Sequence, residues 1–485
     1  MFRIYNTLTR QKEVFRAIKD GEISMYVCGV TVYDSCHIGH ARAIVVFDVI
    51  YRYLKYLGYK VKYVRNFTDI DDKIINKATS EGISTHEVAE RYIKEFYNDI
   101  YPLGIERPTY EPKATDHIQD MIDMIKILVD NGYAYEVGRE VFYSVSKFEG
   151  YGRLSGKKID ELLAGARIEV DEHKRDPLDF ALWKESKPEE PAWESPWGMG
   201  RPGWHIECSA MSHKYLGKRF DIHGGGRDLI FPHHENEIAQ SEGVTGERSV
   251  NYWIHNGFVN INKEKMSKSL GNFFTVREVL ERYHPEVLRL FLISSHYRSP
   301  IDFSDYNLKE ANKVLNRFYD ILWFAKTTNK GADSTKRDYH EMNNDLMKRF
   351  EDAMNDDFNT ARVIGYLNDL LRDLNRLRER IPNSTHKEKR EILIEINKGV
   401  EDLKRVGDVI GLFGVDPDGY IKGQRLERIK ELGIEETEIN RLIEDRSNAR
   451  QRKDWDTADN IRSDLTRRGI VLEDTKEGTL WKIKD

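Results

Sequence analysis

Two imidazoles three positions apart open what reads as a helix: His37 and His40, with Gly39 between them, in the stretch CHIGHARAIVVF. Helix N-termini present unpaired N–H groups and the positive end of the dipole, so they attract anions. Gly39 lets a flat ligand approach the backbone closely. This is a cradle for nucleotide phosphates at the edge of a sheet. Far along the chain, NKEKMSKSLGN sets Lys265 and Lys268 three apart among small polar residues. Ammonium groups there suit charge developing on a transferring phosphate. Taken singly, the first stretch reads as well as a histidine-capped helix and the second as a solvated lysine loop. Taken together they hold both ends of a triphosphate.

Cys28, Cys208, His233 and Glu237 carry a second chemistry. Cys28 ends the first apolar run, and Cys208 lies in RPGWHIECSAM. His233 and Glu237 are four apart, on one face of a helix whose first turn Pro232 suits. Two thiolates, an imidazole and a carboxylate make a plausible Zn²⁺ set. No CxxC pair supports it, and each thiol alone reads as well as a small buried apolar residue. Trp204 and His205, just before Cys208, are expected to wall the same site. His223 precedes Gly224, Gly225 and Gly226, a triplet that would let a nucleotide lie against bare backbone, and Asp228 follows with a carboxylate for a polar group of the ligand. The third cysteine, Cys36, reads as packing. The acids of NFTDIDDKI (66–74) read as a helix N-terminal cluster rather than a Mg²⁺ site.

These groups need a scaffold. The chain has 485 residues, enough for three or more packed units. Hydrophobic residues make up 39% and charged residues 33%, with a net charge of −6. No apolar run approaches the roughly 18 residues of a membrane span, and the N-terminus lacks the apolar core of a secretory signal. Three cysteines in so long a chain argue against a disulfide framework. The expectation is a cytoplasmic protein. EISMYVCG (22–29) reads as a buried strand, GHARAIVVFDVIYRYLKYLGY (39–59) as a helix, and KVKYVRNFT as a second strand. That is a βαβ unit and predicts a parallel sheet. The sheet should resume at FDIHGGG and at VNYWIHNGFV, with the lysine motif just after its last strand. Between them, 118–200 holds a helix, a hairpin and a Pro-, Gly- and Trp-rich tail that reads as an insertion outside the sheet core. From about residue 278 the pattern is almost wholly helical and amphipathic. A last unit carries one basic helix over 436–468, with Arg446, Arg450, Arg452, Lys453 and Trp455 close together, then a strand-like ending. Arginine and tryptophan together can meet phosphate and stack on an unpaired base.

HIGH in the first βα turn combined with KMSKS resembles the class I aminoacyl-tRNA synthetases. The stretches YVCGVTVYDSCHIGHAR, RPGWHIECSAM, DIHGGGRDLIFPHHENEIAQS and EKMSKSLGNFFT resemble the cysteinyl-tRNA synthetases within that class, and the likeness covers nearly the whole chain. The resemblance implies an α/β fold: a Rossmann-like parallel-sheet catalytic domain with an insertion, then a helical bundle and a small anticodon-binding domain. The implied bounds are 1–117 and 201–262 for the two catalytic halves and 118–200 for the insertion. The KMSKS and stem-contact region takes 263–320, the bundle 321–415 and the anticodon unit 416–485. It implies cysteine–tRNA ligation: ATP with Mg²⁺ activates L-cysteine as an adenylate, and the cysteinyl group passes to the terminal adenosine of tRNA-Cys. It implies one Zn²⁺ per chain on Cys28, Cys208, His233 and Glu237, which would select the substrate thiol. His37, His40, Lys265 and Lys268 would be catalytic. Gly39, Gly224 and Gly225 would join His37, His40 and Lys268 in holding ATP. Gly29, Thr68, Trp204, His205, His223 and Asp228 would meet the substrate, and Arg450, Trp455, Asp459 and Asp474 the anticodon. A monomer without membrane association is expected. The rival reading is a ligase of the same fold that joins cysteine to a small amine, which would lack the tRNA-reading unit.

Overall fold

The computed structural model describes residues 1–157, 173–261, 264–265, 274–328, 344–475 and 478–483, with Lys265 and Asp474 described by backbone alone. A hairpin of β1 (Arg3–Asn6) and β2 (Gln11–Val14) precedes the first long strand, β3 (Glu22–Thr31). Met25, Tyr26 and Val27 are all buried, so this strand is covered on both faces, as parallel sheets are. Helix α1 (Ile38–Tyr56) follows. His37 caps it, its Nδ1 accepting the His40 N–H at 3.2 Å. Val46, Phe47, Ile50 and Leu54 give α1 its buried apolar face. Strand β4 (Lys60–Thr68) then pairs parallel with β3 and completes the βαβ unit. Helix α2 (Asp72–Glu81) starts at Asp71, whose carboxylate accepts the Lys73 N–H at 2.8 Å. The acid cluster therefore caps a helix, as its position predicts. Helix α3 (Thr85–Ile100) opens with a Ser84–Glu87 capping box.

The insertion holds α4 (Ile118–Asp130) and four strands: β5 (Ala134–Val137), β6 (Glu140–Tyr143), β7 (Phe180–Glu185) and β8 (Gly200–Pro202). They form an antiparallel sheet in the order β5-β6-β7-β8. The tail read as irregular thus supplies strand at both ends. The reason is packing of tryptophan on glycine: a Cβ on Gly200 would lie 2.3 Å from the Trp183 indole nitrogen. Trp183 is wholly buried, in a core shared with Tyr26, Ile206, Cys208 and Trp253.

Helix α5 (Trp204–Leu216), β9 (Phe220–Gly226), α6 (His233–Thr245) and β10 (Val250–Asn256) complete the parallel sheet. Its order is β10-β9-β3-β4, every pair parallel. The chain winds outward to β4 on one side of β3 and to β9 and β10 on the other. The crevice between the carboxyl ends of β3 and β9 is therefore the switch point at which such sheets bind ligands. Pro232 stands just outside α6 as its cap rather than within its first turn.

A short strand of a separate sheet lies between β10 and the start of the lysine motif. After β10 the chain starts a separate sheet, with β11 (Val259–Ile261), β12 (Glu264–Lys265), the helices α7 (Val276–Leu280) and α8 (Pro285–Ile293), and β13 (Ile301–Phe303), in the order β12-β11-β13. On α8, Arg289 is wholly buried and pairs with Asp48 of α1, while its other nitrogens donate to Ile410 O at 2.9 Å and Leu103 O at 3.0 Å.

By packing, the chain divides into Met1–Leu315 with Tyr339–Asp373 and Glu401–Leu412, and a second unit of Asn316–Asp338, Leu374–Val400 and Phe413–Asp485. The helical region comprises α9 (Asp305–Thr328), α10 (Asn344–Met354), α11 (Thr360–Arg380) and α12 (His386–Ile410). Last come α13 (Pro417–Glu431), α14 (Glu436–Gln451), α15 (Trp455–Arg467) and a hairpin of β14 (Ile470–Thr475) and β15 (Gly478–Ile483). Ile439, Leu465, Ile470 and Trp481 share its core. The single helix expected over 436–468 is two. Lys453 takes the left-handed conformation, φ 62°, and Asp454 caps the next helix by accepting the Thr457 N–H at 3.2 Å. Among the described residues no helix is long and apolar enough to cross a membrane.

Candidate active site and metal centre

The β3–β4 register shifts between Val27 and Val30, a bulge at Cys28 and Gly29. Bulges beside active sites re-aim side chains. Gly29 donates its N–H to Asn66 Oδ1 at 2.9 Å, and a Cβ there would lie 1.6 Å from the Asn66 carbonyl oxygen. Only glycine fits this approach. The bulge brings Cys28 Sγ to 3.5 Å from Cys208 Sγ on α5 and 3.4 Å from Glu237 Oε1 on α6. His233 Nε2, one turn before Glu237, is 3.1 Å from the same oxygen. Ligands of a tetrahedral zinc, with bonds of about 2.0–2.3 Å, stand about 3.3–3.8 Å apart. The ligand atoms of Cys28, Cys208, His233 and Glu237 all lie within 4.8 Å of one another, close to that spacing. A second set, Cys28, His223, His234 and Glu237, overlaps the first. His223 Nε2 and His234 Nε2 are 3.4 and 3.3 Å from Cys28 Sγ.

Burial controls the charges. It lowers His205, His223 and His234 well below the ordinary imidazole range, and His255 to about 3, so these rings are neutral donors of lone pairs. It raises Glu237 and Cys28 well above their ordinary values. Burial also opposes ionisation of Cys208, but the Cys28 thiol and His233 outweigh it and bring Cys208 down to about 7. Glu237 Oε2 is buried 3.5 Å from His223 Nε2 and makes no hydrogen bond. A buried cluster of thiols and neutral imidazoles, with a carboxylate oxygen that has no hydrogen-bond partner among the described residues, is a donor set that fits a cation. Second partners orient the rings. His233 Nδ1 meets His205 Nδ1 at 3.0 Å, which leaves Nε2 facing the cluster. His234 Nδ1 is held by His255 at 2.8 Å, and His255 in turn by Thr7 Oγ1 at 2.8 Å.

A cavity of about 370 Å³ runs from Cys28 and Gly29 past Trp204 and Asp228 to His37, Gly39 and His40. The rings of His37 and His40 stack with centroids 3.5 Å apart. Trp204 stacks on His233 at 4.3 Å. A wider, open cleft of about 720 Å³, lined by Arg91, Lys94, Asp99 and Arg277, holds none of these groups.

The structure places the other expected site residues as follows. The space beside Gly224 and Gly225 is filled by the protein itself: a Cβ on Gly224 would lie 2.2 Å from the Phe47 ring, and one on Gly225 2.8 Å from His234. Gly226 is the member of the triplet that lines the cavity. Thr68 is buried behind the wall, its hydroxyl donating to Glu207 Oε2 at 2.8 Å. His205 and His223 are not among the residues that line the cavity; His205 meets His233, and His223 meets Cys28 and Glu237. Lys265 is placed by its backbone, paired with Asn260, and Lys268 lies outside the described residues. In the second unit Arg450, Trp455 and Asp459 are exposed, Trp455 at 57%, so Trp455 does not pack inward. Arg446 does: it is buried beside Thr479 and is unavailable to a ligand. Asp474 stands on β14.

Three residues escaped the sequence reading. Asn66 orients Gly29, lines the cavity and lies 3.7 Å from Cys208 Sγ. Its signal was alternation, two residues from Thr68 on one strand face. His234 was half of the visible HH doublet. Glu207, next to Cys208, is raised well above its ordinary value by burial and gave no sign.

The parallel sheet and the HIGH stretch at the head of α1 are those of a class I tRNA synthetase catalytic domain. A family model described as "tRNA synthetases class I (C) catalytic domain" matches residues 14–313, a DALR domain model 349–414, and a "Cysteinyl-tRNA ligase anticodon binding domain" 436–481. Two structures of Mycobacterium tuberculosis methionyl-tRNA synthetase with methionyl-adenylate share the fold, with TM-scores of 0.60 and 0.61 at 15% and 14% identity. They cover 80% of this chain and 91% and 92% of theirs. The cysteine–tRNA ligases of Geobacter metallireducens and Thermodesulfovibrio yellowstonii are 55% and 54% identical to it, over 99% of each chain. The chain belongs to the cysteine–tRNA ligase family.

Proposed function

We propose that this chain activates L-cysteine with ATP in the cavity between Cys28 and His40, then passes the cysteinyl group to the 3′-terminal adenosine of tRNA-Cys. Family membership makes it an ATP-dependent cysteine–tRNA ligase. The observation that carries the site assignment is the single cavity that joins Cys28 of the metal cluster to His37, Gly39 and His40.

Cys28, Cys208, His233 and Glu237 would hold one Zn²⁺, the set richer in sulfur being preferred. Zinc there would supply a Lewis acid able to favour a thiolate over a hydroxyl, where an ordinary pocket separates near-isosteres such as cysteine and serine by only about 10–200-fold. Trp204, stacked on His233, walls the cluster from water. The N-terminus of α1 and the Gly39 backbone receive phosphate oxygens of ATP·Mg²⁺. His37 and His40 donate to the oxygens on which charge grows as the cysteine carboxylate attacks the α-phosphorus and pyrophosphate leaves. Lys265 and Lys268 meet the departing charge. The 2′-hydroxyl of the terminal adenosine then attacks the activated carbonyl and AMP leaves. No protein nucleophile takes part; the residues orient and neutralise. Asp228 holds a polar group of the ligand. Arg450, Trp455, Asp459 and Asp474 read the anticodon, Trp455 by stacking on a base. The enzyme acts as a monomer in the cytoplasm, which light scattering and fractionation test.

His40→Asn tests the site. ATP–pyrophosphate exchange with cysteine should fall about 100-fold or more while zinc content stays at that of the unmodified protein. Undiminished exchange would move the phosphate site elsewhere.

A further inference from the structure

We propose that Arg42 is a positioning residue for the activation step: its guanidinium fixes the sheet that carries Lys265 against the helix that carries His37 and His40. Arg42 lies two residues after His40 on α1 and is wholly buried. Its partners are backbone carbonyls. Nη1 donates to Phe258 O at 2.8 Å, and Nη2 to Tyr297 O at 3.3 Å, to Ser299 O and, at 3.5 Å, to His296 O. The planar fork of arginine serves several acceptors at once, which the point charge of lysine does not.

Those carbonyls lie on two segments that touch. Gly257 N–H donates to Tyr297 O at 2.8 Å, and Phe258 O accepts a second bond, from Ile301 N–H at 3.0 Å. Asn256, Gly257, Phe258 and Val259 line the cavity. The chain then runs into β11, whose Asn260 pairs with Lys265 on β12. Arg42 thus ties the upstream end of the lysine segment to α1. The downstream end is tied to the start of the same helix: Ile38 N–H donates to Phe274 O at 3.2 Å, and Val276 N–H to Cys36 O at 2.8 Å. The described backbone on either side of the lysine motif is thus held to one helix, and Arg42 is the buried clasp on its upstream side. A misplacement of about 1 Å in such a frame costs about 100-fold in rate.

The inference rests on the reading that His37, His40 and Lys265 act on ATP. It is tested with Arg42→Lys, which keeps the charge and loses the fork. Gly257→Ala is the second variant; its Cβ would lie 2.5 Å from Ser299 O and 2.7 Å from Arg298 O and so prises the same segments apart. ATP–pyrophosphate exchange is measured per active site, the sites being counted by the single-turnover adenylate burst, together with zinc content. For both variants kcat per active site should fall about 10–100-fold with the cysteine KM within about twofold of wild type. Zinc content should not change. A kcat per active site equal to wild type, even with fewer active sites, would make Arg42 merely structural and overturn the proposal. If Arg42→Lys does not fold, Gly257→Ala decides on the same readouts. Undiminished exchange in His40→Asn would instead count against the reading of the site.

Discussion

Gly29→Ala puts one methyl group where the structure has none to spare. The new Cβ would stand 1.6 Å from the Asn66 carbonyl oxygen and 2.7 Å from its carbon. A carbon and a carbonyl oxygen rest at about 3.3 Å, so β3 and β4 must part by roughly 1.5 Å or more. The obstacle is backbone, so no rotamer change relieves it. Parting the strands there moves Cys28, one residue away, and Asn66, whose Oδ1 accepts the Gly29 N–H and lies 3.7 Å from Cys208 Sγ. Overpacking of this kind costs about 1–3 kcal/mol of stability. The larger effect is on chemistry, where a displacement of about 1 Å at the reacting groups costs about 100-fold, or about 2.7 kcal/mol of transition-state stabilisation. The assay is ATP–pyrophosphate exchange over a range of cysteine concentrations, beside metal analysis of the purified protein. The variant should fold, bind less zinc and lose about 100-fold or more in kcat/KM for cysteine. A variant with wild-type kcat/KM and a full complement of zinc would refute the claim that the Cys28–Gly29 bulge sets the metal cluster.

Other outcomes follow from other parts of the molecule. Arg289→Met removes one of the two arginines on Asp48, Arg52 at 2.8 Å being the other, and takes a donor from two buried carbonyls, and should cost about 1–3 kcal/mol in urea unfolding; a loss well under 1 kcal/mol would show the pair to be worth no more than an exposed one. Glu278 is held below the usual carboxylate range by the N–H and hydroxyl of Thr275. A carboxylate depressed in the folded state adds stability that is full above its unfolded pKa of about 4.3 and is lost as pH falls through the folded value. Glu278→Gln should therefore lower the thermal midpoint at neutral pH, and the gap should close as pH falls through the folded value; a gap that does not narrow in acid contradicts this. Trp455→Ala should raise the KM for tRNA by about 5–150-fold, the worth of one stacked base, and leave exchange without tRNA unchanged. An unaltered KM for tRNA would return Trp455 to the status of a surface residue.

The parallel sheet and the first βαβ unit were legible because their signals are local. Apolar runs, a helix capped by His37 and the glycine after Cys28 all speak within a few residues. The metal set was legible as residue types but not as a site. Cys28 and Cys208 are 180 positions apart, and only the bulge and the switch point of the sheet bring them together. Gly224 and Gly225 show a related limit of local signals: glycine reports that something approaches the backbone but not what, and on the Cβ side that is Phe47 and His234. The break between α14 and α15 hid behind a run of good helix formers, because it depends on the capping geometry of Asp454 and a left-handed Lys453. Asn66 and Glu207 were missed because their roles are second-hand. One orients Gly29, and the other receives the Thr68 hydroxyl.

The central claim is that the buried cluster of Cys28, Cys208, His233 and Glu237 binds zinc and that the metal selects the substrate thiol. Its most direct test is ATP–pyrophosphate exchange with cysteine and with serine, on protein as purified, on protein stripped by a chelator and re-supplied with zinc, and on Cys208→Ser. The account predicts exchange with cysteine alone, lost on stripping, restored by zinc and absent from the variant. Stripped protein or Cys208→Ser that activates cysteine at the wild-type rate, or zinc-loaded protein that activates serine equally, would contradict it.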